Sequence, residues 1–258
     1  MSGSNYSAVT EKPGDRVTRE ALAMVYTRYR FALDYCRGKR VLEVACGEGV
    51  GLEYLARQAD QVVGGDLTWD LLVRARRSGT LRRSLVQLDA DALPFHAASQ
   101  DVILCYEAVY YFERPLQMLQ DCRRVLAPNG LLILCSVNPE WSDFNPSPQS
   151  RQYLSAGRLA SLAEAAGFRT ELLGAFSTES PGPKATMVSW LKRTAVVLHL
   201  IPSTMRGKRL LKRLFLGELV SFPSAVEDGL APYCPPVSID SRRPVTDYKV
   251  LFALCRPR

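Results

Sequence analysis

A short glycine-containing loop is the first feature of the sequence that could do chemistry. Cys46-Gly47-Glu48-Gly49-Val50-Gly51 follows an apolar run typical of a β-strand and enters a helical pattern. Glycines at such a turn let backbone N–H groups approach a bound ligand closely. The pattern alone indicates a nucleotide cofactor without selecting one, because a site for NAD uses the same physics.

Carboxylates follow the next two apolar runs. Asp66 comes about 20 residues after Glu43, a spacing at which an acidic side chain can accept hydrogen bonds from both hydroxyls of a ribose. A solvated aspartate at the end of a strand is the alternative. Asp89 ends the following run. A carboxylate there can accept from an adenine amino group, and Leu67 and Ala90 would lie on the two faces of the ring.

A third group of polar residues follows the apolar run that ends at Tyr106. Glu107, Tyr110 and Tyr111 come directly after it, beside the place where a transferred group would lie. They are the best candidates to orient an acceptor or to receive its proton. The alternatives are that Tyr111 and Phe112 are core aromatic residues, that Glu107 caps the following turn, and that proximity alone drives the reaction.

Alternating apolar patterns indicate the elements that position these residues. Short β-type runs alternate with longer amphipathic runs, which predicts a mostly parallel sheet with helices on both faces. The predicted strands lie near 40–45, 61–66, 85–89, 101–106, 130–137, 168–175 and 248–254. The predicted helices lie near 16–36, 51–59, 69–78 and 114–126, and one more begins after Ser155 as its N-cap. We therefore predict an α/β fold whose ligand lies over the carboxyl ends of the strands.

Five segments, in order and at ordinary spacing, resemble the motifs of the class I S-adenosylmethionine-dependent methyltransferases. They are Val41 to Gly51, Val62 to Asp66, Asp89 to Phe95, Asp101 to Phe112 and Arg124 to Leu132. The resemblance covers residues 38–175 and the last strand. It implies a Rossmann-like fold with a seven-stranded, mostly parallel sheet, S-adenosylmethionine as the cofactor, and methyl transfer without a metal.

The resemblance also implies which residues bind the cofactor. The glycine loop would line the methionine portion with Glu43 beneath it, Asp66 would hold the ribose, and Asp89 with Ala90 would meet the adenine. Ala45 stands where the family often has glycine, which is tolerable if its backbone angle is ordinary. The expected cofactor-binding residues are Glu43, Ala45, Cys46, Gly47, Gly49, Asp66, Leu67, Asp89, Ala90 and Tyr106.

We predict four segments along the chain. Residues 1–37 form an N-terminal helical lid, 38–175 the cofactor-binding core, 176–247 an insertion, and 248–258 the final strand of the core sheet. The alternative for the N-terminal helix is that it only covers the edge of the sheet. An insertion at this place commonly builds the acceptor pocket in similar methyltransferases. Its aromatic residues could form the pocket walls or simply the core of the insertion, and they include Trp190, Phe215, Phe222 and Tyr233.

Positive charge is concentrated in the last third of the chain. The formal net charge is +7, and residues 181–258 hold 13 of the 33 Lys and Arg residues but only 5 of the 26 Asp and Glu residues. The basic segment 206–216 alternates charges with apolar residues as an amphipathic helix does. We favour a helix that packs its leucines on the body of the protein. The alternatives are contact with an anionic membrane surface, a phosphate-bearing ligand or RNA.

Other features narrow the class of protein. No Asn/Asp-Pro-Pro-Tyr motif follows the fourth strand and no Pro-Cys dipeptide occurs, which disfavours nucleic acid as a partner. The seven cysteines form no Cys-x-x-Cys pair, which is typical of reduced thiols and not of a metal site. We interpret His96 and His199 as structural. The longest apolar stretch is too short to span a bilayer, so we expect a soluble, cytoplasmic protein.

The sequence therefore predicts a methyltransferase that acts on an oxygen or nitrogen of a small molecule, either a metabolite or a natural-product intermediate. Two alternatives stay open. One is an RNA methyltransferase anchored by the basic segment, and the other is a non-catalytic partner protein that binds the cofactor. The sequence predicts neither the identity of the acceptor nor the oligomeric state.

Overall fold

A computed structural model describes residues 6–78, 83–147, 149–178 and 219–258 of the chain. The basic segment 206–216 lies outside these residues, and so do His199, Trp190 and Phe215. The interpretations offered for them therefore stay predictions.

The described residues form ten strands and five α-helices, with 3₁₀ turns at Tyr6–Ala8 and Val109–Tyr111. The strands are β1 Arg16–Thr18, β2 Arg40–Val44, β3 Gln61–Asp66, β4 Arg83–Gln87, β5 Gln100–Tyr106, β6 Leu126–Val137, β7 Phe168–Ser177, β8 Leu219–Ser221, β9 Val237–Ser238 and β10 Tyr248–Pro257. The helices are α1 Arg19–Leu33, α2 Leu52–Leu55, α3 Trp69–Ser78, α4 Pro115–Val125 and α5 Ala156–Ala165.

The main sheet has the strand order β4-β3-β2-β5-β6-β10-β7-β9. The first five of these strands are parallel, and β10 runs antiparallel between β6 and β7. The predicted α/β fold with a mostly parallel sheet is confirmed. The sheet has an eighth strand, β9, whose two residues pair with Leu173 and Gly174 at the edge.

Alternation along the strands supplies an apolar layer to each face of the sheet. Leu42 and Ile103 are fully buried in the layer that packs against α4 and α5. Val41 and Leu104 are fully buried in the opposite layer, against α1 and α2. Burying each such side chain contributes about 1.5–3 kcal/mol relative to leaving it exposed. Burial on both faces explains why these strands read as continuous apolar runs.

Two helices begin at hydroxyl caps. The Oγ1 atom of Thr18 accepts a hydrogen bond from the backbone N–H of Ala21 at 3.0 Å, which starts α1. The predicted cap of α5 is confirmed, since Ser155 Oγ accepts from the N–H of Arg158 at 3.4 Å. Each cap satisfies a donor that the helix itself leaves without a partner.

A second, two-stranded sheet ties the N-terminal segment to the residues before the last strand. β1 pairs with β8 in antiparallel register. Next to this pair, the N–H of Gly14 donates to the carbonyl of Phe222 at 2.9 Å. This small sheet holds the chain that precedes α1 above the carboxyl ends of β2 and β3. Among the helices of the described residues, none is both long and apolar enough to cross a membrane.

Candidate functional site

A cavity of about 590 Å³ lies at the carboxyl ends of β2, β3 and β5. Its walls come from the glycine loop, from α1, and from the segment that precedes β1. Of the thirteen residues that the sequence singled out as cofactor-binding or catalytic, only Gly49 is absent from the lining. The structure thus brings together Glu43, Ala45, Cys46, Gly47, Asp66, Leu67, Asp89, Ala90, Tyr106, Glu107, Tyr110 and Tyr111.

The glycine loop bends through three left-handed residues, Ala45, Gly47 and Gly49, whose φ angles are 60°, 56° and 68°. On the sequence alone, alanine is tolerable at position 45 if its backbone angle is ordinary. The angle is left-handed instead, and a Cβ atom makes the left-handed region unfavourable. The N–H of Gly49 donates to the carbonyl of Cys46 at 2.9 Å. Gly49 therefore shapes the turn and does not face the cavity.

Asp66 fastens this loop to the end of β3. Its Oδ2 atom accepts from the N–H of Gly47 at 2.9 Å, and its Oδ1 atom accepts from the N–H of Thr68 at 2.8 Å. Burial raises the pKa of Asp66, although these N–H bonds act in the opposite direction. Each carboxylate oxygen has a second lone pair, so Asp66 can still accept hydrogen bonds from a ligand.

Glu43 lies buried beneath the loop. The hydroxyl of Tyr29 donates to its Oε1 atom at 2.7 Å, while Oε2 has no partner among the described residues. Burial raises the pKa of Glu43 to about 7, against the opposing effects of Tyr29 and Arg28. An acceptor atom that is buried at a cavity wall without a donor is suited to a cationic or N–H-bearing ligand.

Tyr29 reaches Glu43 because Gly51 has no side chain. A Cβ atom at Gly51 would lie 1.9 Å from the ring of Tyr29. The same ring packs edge-on against Tyr106, with 5.5 Å between ring centroids. The last glycine of the loop therefore provides room for the side chain that holds Glu43.

The residues after β4 form the outer end of the cavity. Leu67 is 39% exposed at one wall, and Ala90 is buried. Asp89 is exposed, and its Oδ1 atom accepts from the N–H of Asp91 at 2.9 Å. Asp91, which sequence reasoning did not single out, receives a hydrogen bond from Arg114 on Oδ2, and its buried Oδ1 has no partner within the described ranges. This end therefore offers two carboxylates to a ligand amino group.

Glu107 presents its carboxylate to the opposite end of the cavity. Its φ angle of 50° is left-handed, and its N–H donates to the carbonyl of Cys135 at 2.8 Å. The carboxylate accepts from the hydroxyl of Tyr110 at 3.1 Å and from the N–H of Val137 at 3.3 Å. Burial raises the pKa of Glu107, which makes its carboxylate a stronger proton acceptor.

Tyr110 and Tyr111 have different surroundings. Tyr110 is buried and stacks on Tyr153 at 4.4 Å, and burial raises the pKa of its hydroxyl. Tyr111 is partly exposed, and its hydroxyl lies 2.6 Å from Ser147 Oγ. Both tyrosines contribute to the cavity lining, but only Tyr110 hydrogen-bonds to Glu107 among the described contacts.

The segment before β1 covers the cavity. It lies within the predicted lid 1–37, but the sequence singled out none of its residues. Tyr6, Val9, Thr10 and Glu11 all contribute to the lining. A Cβ atom at Gly47 would lie 2.9 Å from the methyl group of Thr10, so the segment sits directly on the loop. This stretch is short and polar and shows no periodicity, so the sequence carried no signal for its position.

Of the other residues considered from the sequence, some line the cavity and some do not. Phe222 is buried and lines the cavity, as expected of a pocket wall. Tyr233 is 40% exposed and lies outside the lining of this cavity, and the guanidinium of Arg30 lies 5.6 Å from the centre of its ring. His96 is exposed and also lies outside the lining. Within the described ranges, no three His, Cys, Asp or Glu side chains are placed to hold a metal ion.

Comparison with known proteins finds similarity to methyltransferases over part of the chain. A methyltransferase domain family matches residues 42–134. The "Probable S-adenosylmethionine-dependent methyltransferase" of Mycolicibacterium smegmatis is 32% identical over 148 residues, covering 55% of this chain and 56% of that protein. The ubiquinone biosynthesis O-methyltransferase of Actinobacillus pleuropneumoniae is 33% identical over 109 residues, covering 39% of this chain and 47% of that protein. The chain thus spans about half the length of these relatives.

A solved structure matches over nearly the whole chain. A SAM-dependent methyltransferase from Archaeoglobus fulgidus has a TM-score of 0.57 at 16% identity, covering 92% of this chain and 94% of that chain. A likeness at this identity concerns the fold alone. It agrees with the α/β fold described above.

Proposed function

We propose that the protein is a class I S-adenosylmethionine-dependent methyltransferase that transfers a methyl group from this cofactor to an oxygen or nitrogen of a small molecule. The match of a methyltransferase domain family to residues 42–134 supports this proposal. One observation carries the proposal. A single cavity runs from the glycine loop and Asp66 to Glu107 and Tyr111, so a cofactor and an acceptor would meet inside it.

The residues present fit S-adenosylmethionine. The buried Oε2 atom of Glu43, which has no donor among the described residues, would receive the ammonium of the methionine portion. Gly47 lets the segment before β1 pack directly on the loop, since a Cβ atom there would lie 2.9 Å from the methyl group of Thr10. Asp66 would accept from the ribose, and Asp89 from the adenine amino group.

The chemistry expected of the protein is alignment, proton transfer and exclusion of water. The bound cofactor supplies a methyl group that its sulfonium has already activated. Glu107 would take the proton of an acceptor hydroxyl, since its raised pKa suits a general base. Tyr110 fixes the Glu107 carboxylate by its hydrogen bond. Tyr111 would orient the acceptor, and the segment 6–11 would keep water out.

The lining of the acceptor end supports a partly apolar small molecule. The apolar side chains there come from α1, from the end of β6, from β10 and from the residue after β8, and they include Met24, Val137, Val250 and Phe222. An oxygen acceptor is favoured by the name of the Actinobacillus pleuropneumoniae relative, an O-methyltransferase. A carboxylate base at the same end is consistent with that choice.

A screen of methyl transfer across classes of small molecules, read by mass spectrometry, tests the proposal. We expect at least one phenol, alcohol or amine to gain a methyl group. For a hydroxyl acceptor, Glu107→Gln should lower kcat about 100-fold or more, because the base is lost. Methylation of RNA with no small-molecule product would contradict the proposal, and unchanged turnover in Glu107→Gln would remove that residue from the mechanism.

A further inference from the structure

Arg28 is a buried cation on the cavity wall to which the proposed mechanism gives no role. It lies on α1, is 9% exposed, and contributes to the lining. Among the described residues its guanidinium has two polar contacts. Nε donates to the carbonyl of Met24 at 3.3 Å, and Nη2 lies 3.5 Å from Oε2 of Glu11. A guanidinium has five N–H donors, so most of its donors are not used by these contacts.

Glu11 is a weak partner for such a cation. Its side chain is 44% exposed, and the 3.5 Å separation exceeds the 2.7–2.9 Å of a charge-assisted hydrogen bond. Exposed ion pairs contribute little to stability, whereas a buried guanidinium without hydrogen bonds is costly. Glu107 and Glu43 also act on Arg28 through their charges, but among the described contacts neither hydrogen-bonds to it.

We propose that Arg28 is a carboxylate-binding residue of the cavity, and that Glu11 occupies the place of a ligand carboxylate until a ligand displaces it. A ligand carboxylate could accept two parallel N–H bonds from the guanidinium, which Glu11 does not do. The inference rests on the proposed function, because the carboxylate has two possible sources. One is the amino-acid portion of the cofactor, and the other is an acidic acceptor.

Calorimetric binding to the full chain separates the two sources. S-adenosylhomocysteine carries the carboxylate, 5′-methylthioadenosine lacks it, and benzoate added to protein saturated with S-adenosylhomocysteine probes the acceptor end. The variant is Arg28→Gln, and Arg30→Gln is its control on the same helix, outside the cavity lining and 3.0 Å from Asp34. A loss of roughly 10–100-fold for S-adenosylhomocysteine alone assigns the cofactor carboxylate. A loss confined to benzoate assigns an acidic acceptor.

A second experiment removes the Glu11 carboxylate, which we propose competes with the ligand for Arg28. Glu11→Gln should tighten binding of the same carboxylate ligand roughly twofold to fivefold, and should leave 5′-methylthioadenosine unchanged. This variant alters an exposed side chain, so it tests the proposal even if Arg28→Gln fails to fold. The proposal is overturned if Arg28→Gln weakens both nucleosides equally or weakens no ligand, or if Glu11→Gln weakens the carboxylate ligand. If the natural protein binds neither nucleoside, the proposed function itself fails.

Discussion

At the scale of single residues, the cofactor loop contains groups that are costly to the fold. Ala45 adopts a backbone angle that favours glycine, and Glu43 is a carboxylate buried under the loop. Costs of this kind concentrate where a binding surface must be shaped in advance. The cost of each residue to the free energy of unfolding can be measured directly.

Replacing Ala45 by glycine should stabilise the protein. A non-glycine residue in the left-handed region costs about 1–2 kcal/mol, whereas the added freedom of glycine in the unfolded chain costs about 0.4–1 kcal/mol. The first effect is larger, so we expect Ala45→Gly to raise the free energy of unfolding by roughly 0.5–1 kcal/mol in chemical denaturation. Ala98 is exposed and also left-handed, with φ 55°, so Ala98→Gly should raise the free energy of unfolding in the same way. Destabilisation by Ala45→Gly would show that the loop has another geometry.

Glu43 should make stability depend on pH in a defined direction. Its pKa is about 7 in the folded protein and near 4.5 in the unfolded chain. Between these values the folded state holds a proton that the unfolded state has lost, so the free energy of unfolding falls as pH rises from about 4.5 to about 7. In the natural protein, we expect this fall in the free energy of unfolding to be on the order of 3 kcal/mol. Glu43→Gln should remove it.

Denaturation measured near pH 5 and near pH 8 checks this prediction. Glu164→Gln is the control, because Glu164 is exposed and lies on α5, away from the cavity. The control should keep the pH dependence of the natural protein. If Glu43→Gln kept the same pH dependence of stability as the control, Glu43 would not be its cause, and the prediction would be wrong.

At the scale of elements, α1 and the glycine loop are fitted to each other through Tyr29 and Gly51. Gly51 has ordinary backbone angles, with φ −98° and ψ −12°, so its role is steric. Gly51→Ala should displace the ring of Tyr29, break its bond to Glu43, and destabilise the protein by about 1–3 kcal/mol in chemical denaturation. In a Tyr29→Ala background the same change should cost little, because nothing is left to clash. An equal cost in both backgrounds would exclude this coupling.

Elements with long periodic patterns could be predicted from the sequence, and short ones could not. The seven core strands and the cap at Ser155 were predicted close to their places, because alternation and capping are local signals. β1, β8 and β9 have only two or three residues each, too few for a period, and tertiary pairing alone forms them. The position of Glu11 beside Arg28 and the left-handed angle of Ala45 likewise depend on contacts distant in sequence.

At the scale of the whole molecule, the family and its cofactor were predicted because five motifs appear in order. The cavity explains why these motifs matter together, since it collects the ends of β2, β3 and β5 under one cover. The roles of individual residues toward cofactor and acceptor stay predictions. Within the insertion 176–247, the structure describes residues 176–178 and 219–247, and Phe222 reaches the cavity.

The central claim is that this cavity binds S-adenosylmethionine through Asp66, and calorimetry with S-adenosylhomocysteine tests it most directly. Asp101→Ala is a matched control, because Asp101 also accepts a backbone N–H, from Arg40 at 2.9 Å, yet lies outside the cavity. Both variants should lose stability, since both leave a backbone donor without its partner. We predict that the natural protein and Asp101→Ala bind alike, and that Asp66→Ala binds about tenfold or more weakly. No binding by the natural protein, or equal affinity in all three proteins, would contradict the account.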